Sequence, residues 1–503
     1  MKHQMFDYLR DTGSPSDPVL ESGSVSRSRS ELAEQVRTLA SQLKAMKVSS
    51  VALYADNGIE WVLSDLACQL AELTIVPLPL FFSDEQVLHA ISSSAVDAVI
   101  ADRELPAALS NAEPVDIEKV PSFDHLVSSA IKVYRLNSRD KALLPSGTQK
   151  ISFTSGTTGK PKGVCLSADQ QVTLANSLVS VIGIEKPKHL CVLPLSTLLE
   201  NLAGVYAPLI AGGTVIAPSL ADVGLAGSSG LDMGKLLRCI ERHQPNSLIL
   251  VPEILNALTL AAGAGWQAPR SLRFVAVGGG KVSPELLANA RDAGLPAYEG
   301  YGLSECSSVV SLNVPADDQI GSVGRPLPHV SVTTDDGEIV VTGSTFLGYA
   351  NQPHSWGADC VHTGDIGHLG DDGFLHVEGR IKHQFITSFG RNLSPEWVES
   401  ELLAAPTLQQ AVVVGDDRPY CVALVYPRDP STSDREIAGW IDNVNLTLPD
   451  YARIVEWYRL PTALNVHDGL LTENGRPKRS NIELTYQLAI GDLYEIRKEV
   501  SSL

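Results

Sequence analysis

The sequence predicts an α/β protein with a large N-terminal domain of helix-covered, largely parallel sheets and a small α+β C-terminal domain. Short β-branched runs alternate with amphipathic segments from about Val51 onward, which indicates parallel strands covered by helices. The pattern changes near Arg380 to shorter alternating segments. The length of 503 residues also predicts more than one domain, at ~100–200 residues per domain.

The elements of the large domain follow from these patterns. Ser283 and Pro284 suit the cap and first position of one helix. The polar stretch 22–30 predicts a loop. We expect strands at 51–55, 74–78, 97–101, 189–194, 214–218, 247–252 and 272–279. We expect helices at 60–73, 84–93, 233–243 and 283–294.

The small domain has a helix pattern at 394–405 and strand patterns at 411–416 and 421–427. The change in character falls at about residues 380–383. We therefore expect an N-terminal domain of residues 1–381 and a C-terminal domain of residues 382–503.

Composition and charge restrict the class of protein. The chain is 44% hydrophobic, enough for a large core, and carries a net charge of -19 from 39 basic and 58 acidic residues. Nucleic-acid-binding proteins usually present a basic surface, so the balance argues against such a partner. It does not argue against a nucleotide, because a local basic loop can bind phosphate in an acidic protein.

Cysteine usage and hydropathy predict a soluble cytoplasmic protein. The seven cysteines are scattered, and no two form a C-x-x-C pair, so a reducing compartment fits better than a disulfide framework or a zinc cluster. The N-terminal segment has no apolar region typical of a signal peptide. No apolar run approaches the ~18 residues of a membrane span.

The strongest local signal is the stretch 151–167, ISFTSGTTGKPKGVCLS, in which a strand runs into Thr, Ser, Gly and Lys residues. The glycines permit close backbone approach, the hydroxyls can donate to phosphate oxygens, and Lys160 and Lys162 supply charge. The spacing differs from a Walker A loop, because only two residues separate Gly156 from Gly159. The stretch predicts a polyphosphate-binding loop.

Two more motifs follow in order: YGLSE at 301–305 and HTGDIGHLGDDGFLHVEGRIK at 362–382. With the loop, they resemble the signatures of the adenylate-forming superfamily, which includes acyl-CoA synthetases, the adenylation domains of peptide synthetases, and luciferases. The resemblance covers about Val51 to Arg479. It implies an acetyl-CoA synthetase-like fold, with ATP, Mg²⁺ and coenzyme A as expected cofactors.

The resemblance also implies roles for residues of the first two motifs. Glu305 would bind Mg²⁺, which is sound chemistry because a hard cation prefers carboxylate oxygen. Ser304 would touch the α-phosphate, and Tyr301, beside Gly302, would stack on adenine. The loop would hold the β- and γ-phosphates through Thr154, Ser155, Gly156, Thr157, Thr158, Gly159 and Lys160.

Further roles lie at the strand end near Gly279 and in the third motif. The resemblance places Gly279 and Gly280 beside the adenine and the acyl pocket, although a glycine run is also typical of a tight turn. Asp365 would accept both ribose hydroxyls, and Arg380 would contact ribose or phosphate. Lys382 falls at the hinge about which the small domain of the family rotates.

The sequence departs from the family pattern at its catalytic lysine. The family usually carries a Gly-Lys pair there, whereas this chain has Gly475-Arg476, with Lys478 two residues on. Arginine is not equivalent to lysine, being planar and bulkier. In an extended segment Arg476 and Lys478 point to the same side, so we expect Lys478, or else Arg476, to supply the cation.

A second departure lies at Thr197, where many acyl- and aryl-CoA synthetases carry a histidine or aromatic residue that gates the acid pocket. The apolar helical segment 198–213 that follows has two readings, the lining of an acyl tunnel or core packing.

The leading hypothesis is an acid-thiol ligase. It would activate a small-molecule carboxylic acid, fatty or aryl, as the acyl-adenylate, release pyrophosphate, and pass the acyl group to coenzyme A. Alternatives are loading of a free-standing carrier protein, transfer to another nucleophile, or a nucleotide-binding homologue without catalysis. The identity of the acid and the oligomeric state are not predicted.

Overall fold

The computed structural model describes residues 5–106, 109, 113–114, 131–136, 141–154, 161–226, 230–386, 392–405, 407–472 and 475–500. Its helices are α1 Met5–Asp11, α2 Arg29–Ala45, α3 Ile59–Leu70, α4 Asp84–Ser93, α5 Ala168–Ile182, α6 Ala207–Ile210, α7 Met233–His243, α8 Pro252–Gly263, α9 Pro284–Asp292, α10 Pro395–Leu402, α11 Asp434–Thr447, α12 Arg479–Thr485 and α13 Gln487–Val500. A π-helix, Glu200–Tyr206, runs directly into α6.

Its strands are β1 Pro18–Ser22, β2 Val25–Ser28, β3 Ser50–Tyr54, β4 Thr74–Pro77, β5 Ala98–Ala101, β6 Glu113–Pro114, β7 Lys132–Arg135, β8 Lys150–Thr154, β9 Lys162–Leu166, β10 Lys188–Leu190, β11 Thr214–Ile216, β12 Leu225–Ala226, β13 Gly230–Leu231, β14 Ser247–Leu250, β15 Phe274–Val277, β16 Ala297–Tyr301, β17 Ser311–Leu312, β18 Arg325–Pro326, β19 Val330–Asp335, β20 Glu338–Gly343, β21 Gly348–Tyr349, β22 Cys360–Leu369, β23 Leu375–Arg380, β24 Phe385–Ile386, β25 Asn392–Leu393, β26 Leu408–Val414, β27 Cys421–Pro427 and β28 Ile454–Arg459.

Two large sheets form the N-terminal domain. One has the order β18-β17-β16-β15-β14-β10-β11-β1-β2, and the other β21-β9-β8-β4-β3-β5-β7-β6. The neighbours from β16 to β1 and from β8 to β5 pair in parallel, whereas the outer neighbours pair antiparallel. The expected α/β fold is confirmed, with parallel strands at the centre of each sheet and antiparallel strands at its edges.

A third sheet, β19-β20-β22-β23, is antiparallel throughout and leads into the C-terminal domain. That domain is small and α+β, as expected. Its sheet β26-β27-β28 packs against α10 and α11 through a core that includes Val398, Ile437 and Val425.

The expected elements of the large domain agree with the structure in position, and several are shorter. The helix at 233–243 has the expected bounds, and Ser283 caps α9 by accepting from the Leu286 N–H. The strand expected at 189–194 ends at Leu190, and the chain then turns at Pro194, where the Thr197 N–H donates to the Pro194 carbonyl oxygen before the π-helix. The strands expected at 214–218, 247–252 and 272–279 are likewise trimmed at their ends.

The expected loop at 22–30 is wrong. Val25–Ser28 forms β2, an antiparallel partner of β1, and Ser28 then caps α2 by accepting from the Glu31 N–H. The stretch is polar because β2 is an edge strand with exposed or half-buried side chains.

A buried ion pair links β8 to α3 and is hydrogen-bonded to the π-helix. Lys150 of β8 lies 2.8 Å from Asp65 of α3, and both side chains are 1% exposed. Tyr206, at the end of the π-helix, donates to Asp65 over 2.7 Å, and Asn201 of the same helix accepts from Lys150. This network fixes the π-helix against the strand that leads into the predicted phosphate loop. No helix in the described part of the chain has the length and apolar character that crossing a membrane requires.

Candidate nucleotide and acid site

The predicted phosphate loop connects two antiparallel strands. Thr154 ends β8 and is paired with Lys162, the first residue of β9. The residues between them to which we assign phosphate contacts, Ser155, Gly156, Thr157, Thr158, Gly159 and Lys160, lie outside the described residues. Thr154 and Lys162 both border a large cleft.

The second motif lies at the carboxyl end of β16, on the wall of the same cleft. Gly302 is required sterically, since a Cβ there would stand 1.6 Å from the Ser308 carbonyl oxygen. The chain then forms a short 3-10 turn, Ser304–Cys306, which presents Ser304 and Glu305 to the cleft.

The Glu305 carboxylate is oriented by Tyr349, whose hydroxyl donates to it over 2.7 Å. The Lys162 ammonium lies 5.0 Å from the centroid of the Tyr349 ring, a cation–π contact. Sequence reasoning missed Tyr349, because a single aromatic residue 44 positions beyond Glu305 gives no spacing signal.

Asp365 is the centre of a polar group at the junction of β22 and β23. Tyr301 donates to one carboxylate oxygen over 2.6 Å, and the Arg380 guanidinium lies 2.7 Å from the other. Asp365 is 3% exposed, and this burial raises its pKa, although Arg380 opposes the shift. Burial, and next the negative charge of Asp365, raise the pKa of the Tyr301 hydroxyl. Tyr301 therefore stays a neutral donor at ordinary pH.

Arg476 crosses from the C-terminal domain to the strand ends of the N-terminal domain. Its Nη2 donates over 2.8 Å to the carbonyl oxygen of Gly279, which follows β15 with a φ of 84°. Protein surrounds the guanidinium on most sides, yet it remains solvent-accessible because the cleft is open. Burial, and next the neighbouring Arg380, lower its pKa, but an arginine stays charged in proteins.

The other predicted residues lie around this contact. Lys478 borders the cleft and its backbone N–H donates to the Leu470 carbonyl oxygen. Gly280 packs near Pro252, whose ring carbon would meet a Cβ at 3.4 Å. Lys382 is exposed in the turn after β23, where the Gln384 N–H donates to the Arg380 carbonyl oxygen.

The cleft continues into the N-terminal domain as a cavity, and the two together enclose about 1370 Å³. One wall is the segment for which the sequence left two readings. Leu199, Ala203 and Ala207 line the cavity, whereas Leu202 and Val205 pack in the hydrophobic core. Core packing is therefore present, and an acyl chain in the lined space stays a prediction. Thr197, where the sequence departs from the gating residue of many family members, also lines the cavity.

Residues 10–349 match the family model described as AMP-binding enzyme, and residues 382–498 match that described as AMP-binding enzyme C-terminal domain. The chain is 28% identical over 471 residues to the long-chain-fatty-acid–CoA ligase FadD15 of Mycobacterium bovis, covering 78% of this chain and 76% of that protein. It is 28% identical over 406 residues to the 2-succinylbenzoate–CoA ligase of Bacillus subtilis, covering 76% and 79% of the two chains.

Solved structures share the fold. The anthranilate CoA ligase AuaEII in complex with anthranoyl-AMP superposes with a TM-score of 0.79 at 18% identity, over 97% of this chain and 98% of that one. The o-succinylbenzoate coenzyme A synthetase of Bacillus subtilis, in complex with AMP, gives a TM-score of 0.75 at 24% identity, over 95% and 97%. The family model covers more than half of the chain, and described residues of all three motifs border one cleft. This chain belongs to the family of AMP-binding enzymes.

Proposed function

We propose that this protein is an acid-thiol ligase that activates a carboxylic acid with ATP and transfers the acyl group to coenzyme A. In the first step a carboxylate oxygen bonds to the α-phosphorus of ATP, and the bond to pyrophosphate breaks. In the second step the thiolate sulfur bonds to the acyl carbon, the carbon–oxygen bond breaks, and AMP leaves. The thiol proton passes to solvent or a nearby base.

The observation that carries this proposal is the continuity of a polar cleft with an apolar cavity. Tyr301, Ser304, Glu305 and Arg476 border the polar end, and the π-helix segment lines the apolar end. Ligands of α/β sheets bind at the carboxyl ends of the strands, which is where the polar end lies. An acid placed with its carboxylate at Gly279 would have its apolar part in the cavity.

The polar end suits the charge that develops at phosphorus. Arg476, Arg380 and Lys162 surround the cleft, and fixed cationic groups stabilise such charge without reorganising. Glu305 fits a magnesium ion, since its carboxylate faces the cleft and Tyr349 occupies only part of its lone-pair capacity. Bound there, the ion would neutralise phosphate oxygens.

The relatives favour a coenzyme A acceptor. Besides the two ligases above, a feruloyl-CoA synthase from Amycolatopsis is 27% identical over 463 residues. We retain a carrier protein as the runner-up acceptor. We also propose residues 1–381 and 382–503 as the two domains, with the hinge at the exposed Lys382.

The test is incubation of the full chain with ATP, Mg²⁺ and a panel of aliphatic and aryl acids, with thioester detected by mass spectrometry. Free coenzyme A and a pantetheinylated carrier protein are compared as acceptors. Coenzyme A thioester at the higher rate supports the proposal, and acylation of the carrier alone replaces it with the runner-up. No adenylate and no thioester with any acid refutes both.

A further inference from the structure

The cavity runs along the sheet from the carboxyl ends of the strands toward their amino ends. Ser247 pairs in register with His189 on one side and with Phe274 on the other, and all three line the cavity. The N–H of Gly278 at the strand end donates to the Leu250 carbonyl oxygen. Ser247 precedes Leu250 by three residues, which places it about 10 Å from the strand end at about 3.3 Å per residue.

The cavity wall around Ser247 is polar, although buried walls of this kind are usually apolar. Ser247 Oγ lies 2.9 Å from His189 Nδ1, and His189 Nε2 lies 2.9 Å from Glu200 Oε1. The second oxygen of Glu200 accepts from the Leu193 N–H over 2.9 Å. Ser247 is 8%, His189 2% and Glu200 0% exposed. We call these three residues the Ser247 relay.

The backbone is shaped around the relay. A Cβ at Gly204 would stand 2.3 Å from Glu200 Oε1 and 2.8 Å from His189 Nε2, so only glycine leaves room for this contact. Gly204 and Glu200 belong to the π-helix, a conformation found frequently at functional sites. The buried ion pair of Lys150 and Asp65 is hydrogen-bonded to the same π-helix through Asn201 and Tyr206.

The direction of the hydrogen bonds in the relay follows for an ionised Glu200 carboxylate and a neutral His189 ring. Glu200 takes the Leu193 N–H on one oxygen, and an ionised carboxylate only accepts, so His189 Nε2–H is the donor to the other. In the neutral ring Nδ1 is then an acceptor, and the Ser247 O–H donates to it. Ser247 lines the cavity, and in the described part of the chain His189 is the hydrogen-bond partner of its Oγ, so the remaining lone pairs can accept from a ligand there.

We propose that Ser247 is a specificity-determining residue that accepts a hydrogen bond from a hydroxyl or amino group on the distal part of the acid. His189 and Glu200 are positioning residues that hold the serine with its lone pairs toward the cavity. This inference rests on the proposed function. The matching substrates carry the polar group about 10 Å from the carboxyl, near the eighth or ninth carbon of a straight chain.

The same side chains have a competing use. His189, Cys191 and Glu200 offer ligand atoms within 4.8 Å of one another, a set that a metal could bind. The relay accounts for the geometry without a metal, because His189 and Glu200 are already hydrogen-bonded. Burial, and next Glu200, raise the pKa of the Cys191 thiol, which disfavours the thiolate that a metal requires.

The first experiment compares straight-chain acids of equal length with and without the distal hydroxyl, by initial rates of acid-dependent pyrophosphate release. The wild type should prefer the hydroxy acid by about tenfold in kcat/KM, mainly through KM. Ser247→Ala should abolish the preference, and Ser247→Thr should retain it. Ser180→Ala, on α5, is the matched control.

The second experiment reverses the donor and acceptor roles in the hydrogen bonds of the Ser247 relay. In Glu200→Gln the amide oxygen must accept from the Leu193 N–H, so the amide NH₂ faces His189 Nε2 and makes it an acceptor. His189 Nδ1–H then donates to Ser247, whose hydroxyl becomes a donor toward the cavity. A keto acid, which only accepts, should gain on the matched hydroxy acid by several-fold. Glu34→Gln, exposed on α2, is the control.

The outcomes separate the two proposals. Pyrophosphate release with unchanged hydroxy and keto preferences in both Ser247→Ala and Glu200→Gln overturns the specificity inference alone. Stoichiometric metal in the purified protein that is lost in Cys191→Ala also overturns it, in favour of a metal site. Absence of acid-dependent release from the wild type overturns this inference and the proposed function together.

Discussion

Replacing Arg476 tests whether it, and not Lys478, serves as the cation of the cleft. In Arg476→Ala the hydrogen bond to Gly279 and the charge beside Asp365 and Arg380 are both lost. A hydrogen bond from a charged donor contributes about 1.5–3 kcal/mol. Because water reaches the guanidinium, the lower end of that range applies, and about 1.4 kcal/mol corresponds to a tenfold change in rate.

The assay is acid-dependent ATP–pyrophosphate exchange, which reports adenylation alone. Arg476→Ala should slow exchange by about tenfold or more. Arg476→Lys should recover part of the rate, since it restores the charge without the planar fork. Lys478→Ala should have a smaller effect than Arg476→Ala. Full exchange in Arg476→Ala together with loss in Lys478→Ala would refute the assignment.

Three further predictions concern buried groups. Tyr301→Phe removes the 2.6 Å hydrogen bond to Asp365 and should raise KM for ATP about fivefold in the exchange assay; an unchanged KM would contradict the role of this pair. Asp65→Ala leaves the Lys150 ammonium unpaired in the core and should lower the free energy of unfolding in denaturant by about 3–5 kcal/mol. A decrease below ~1 kcal/mol would contradict the stabilising role of this ion pair. Burial raises the pKa of Glu299 to about 8, above its ordinary 4.5, so the folded state binds this proton more tightly, and stability falls as pH rises between those values. Glu299→Gln should remove that loss of stability, which amounts to up to about 5 kcal/mol at pH 8. Equal slopes of unfolding free energy against pH in the wild type and in Glu299→Gln would contradict this prediction.

The sequence predicted those parts of the fold that depend on local pattern. Alternating apolar runs and capped helices such as α9 identified the α/β architecture, because hydrophobic periodicity reports burial directly. It did not predict that 25–28 forms an edge strand, since a polar edge strand and a loop have similar composition. The antiparallel strands at the sheet edges are set by long-range pairing that no local window contains.

The residues of the site also fall into those that the sequence indicated and those that only the fold brings together. Glu305, Asp365 and Arg380 stood out because they lie in contiguous motifs, and the structure brings the last two into direct contact. The roles assigned to them and to the phosphate loop remain predictions. His189 and Ser247 gave no signal, because they are separated by 58 residues and meet only through the register of β10 with β14.

Acid-dependent pyrophosphate release is the most direct test of the central claim that the cleft and the cavity together adenylate a carboxylic acid. The wild-type chain, given ATP and Mg²⁺, is assayed across aliphatic acids of increasing length and aryl acids, with and without coenzyme A. We predict release that depends on the acid, with AMP and a coenzyme A thioester formed in equal amounts when coenzyme A is present. Tight ATP binding without acid-dependent release across the whole panel would contradict the account and favour a nucleotide-binding protein without catalysis.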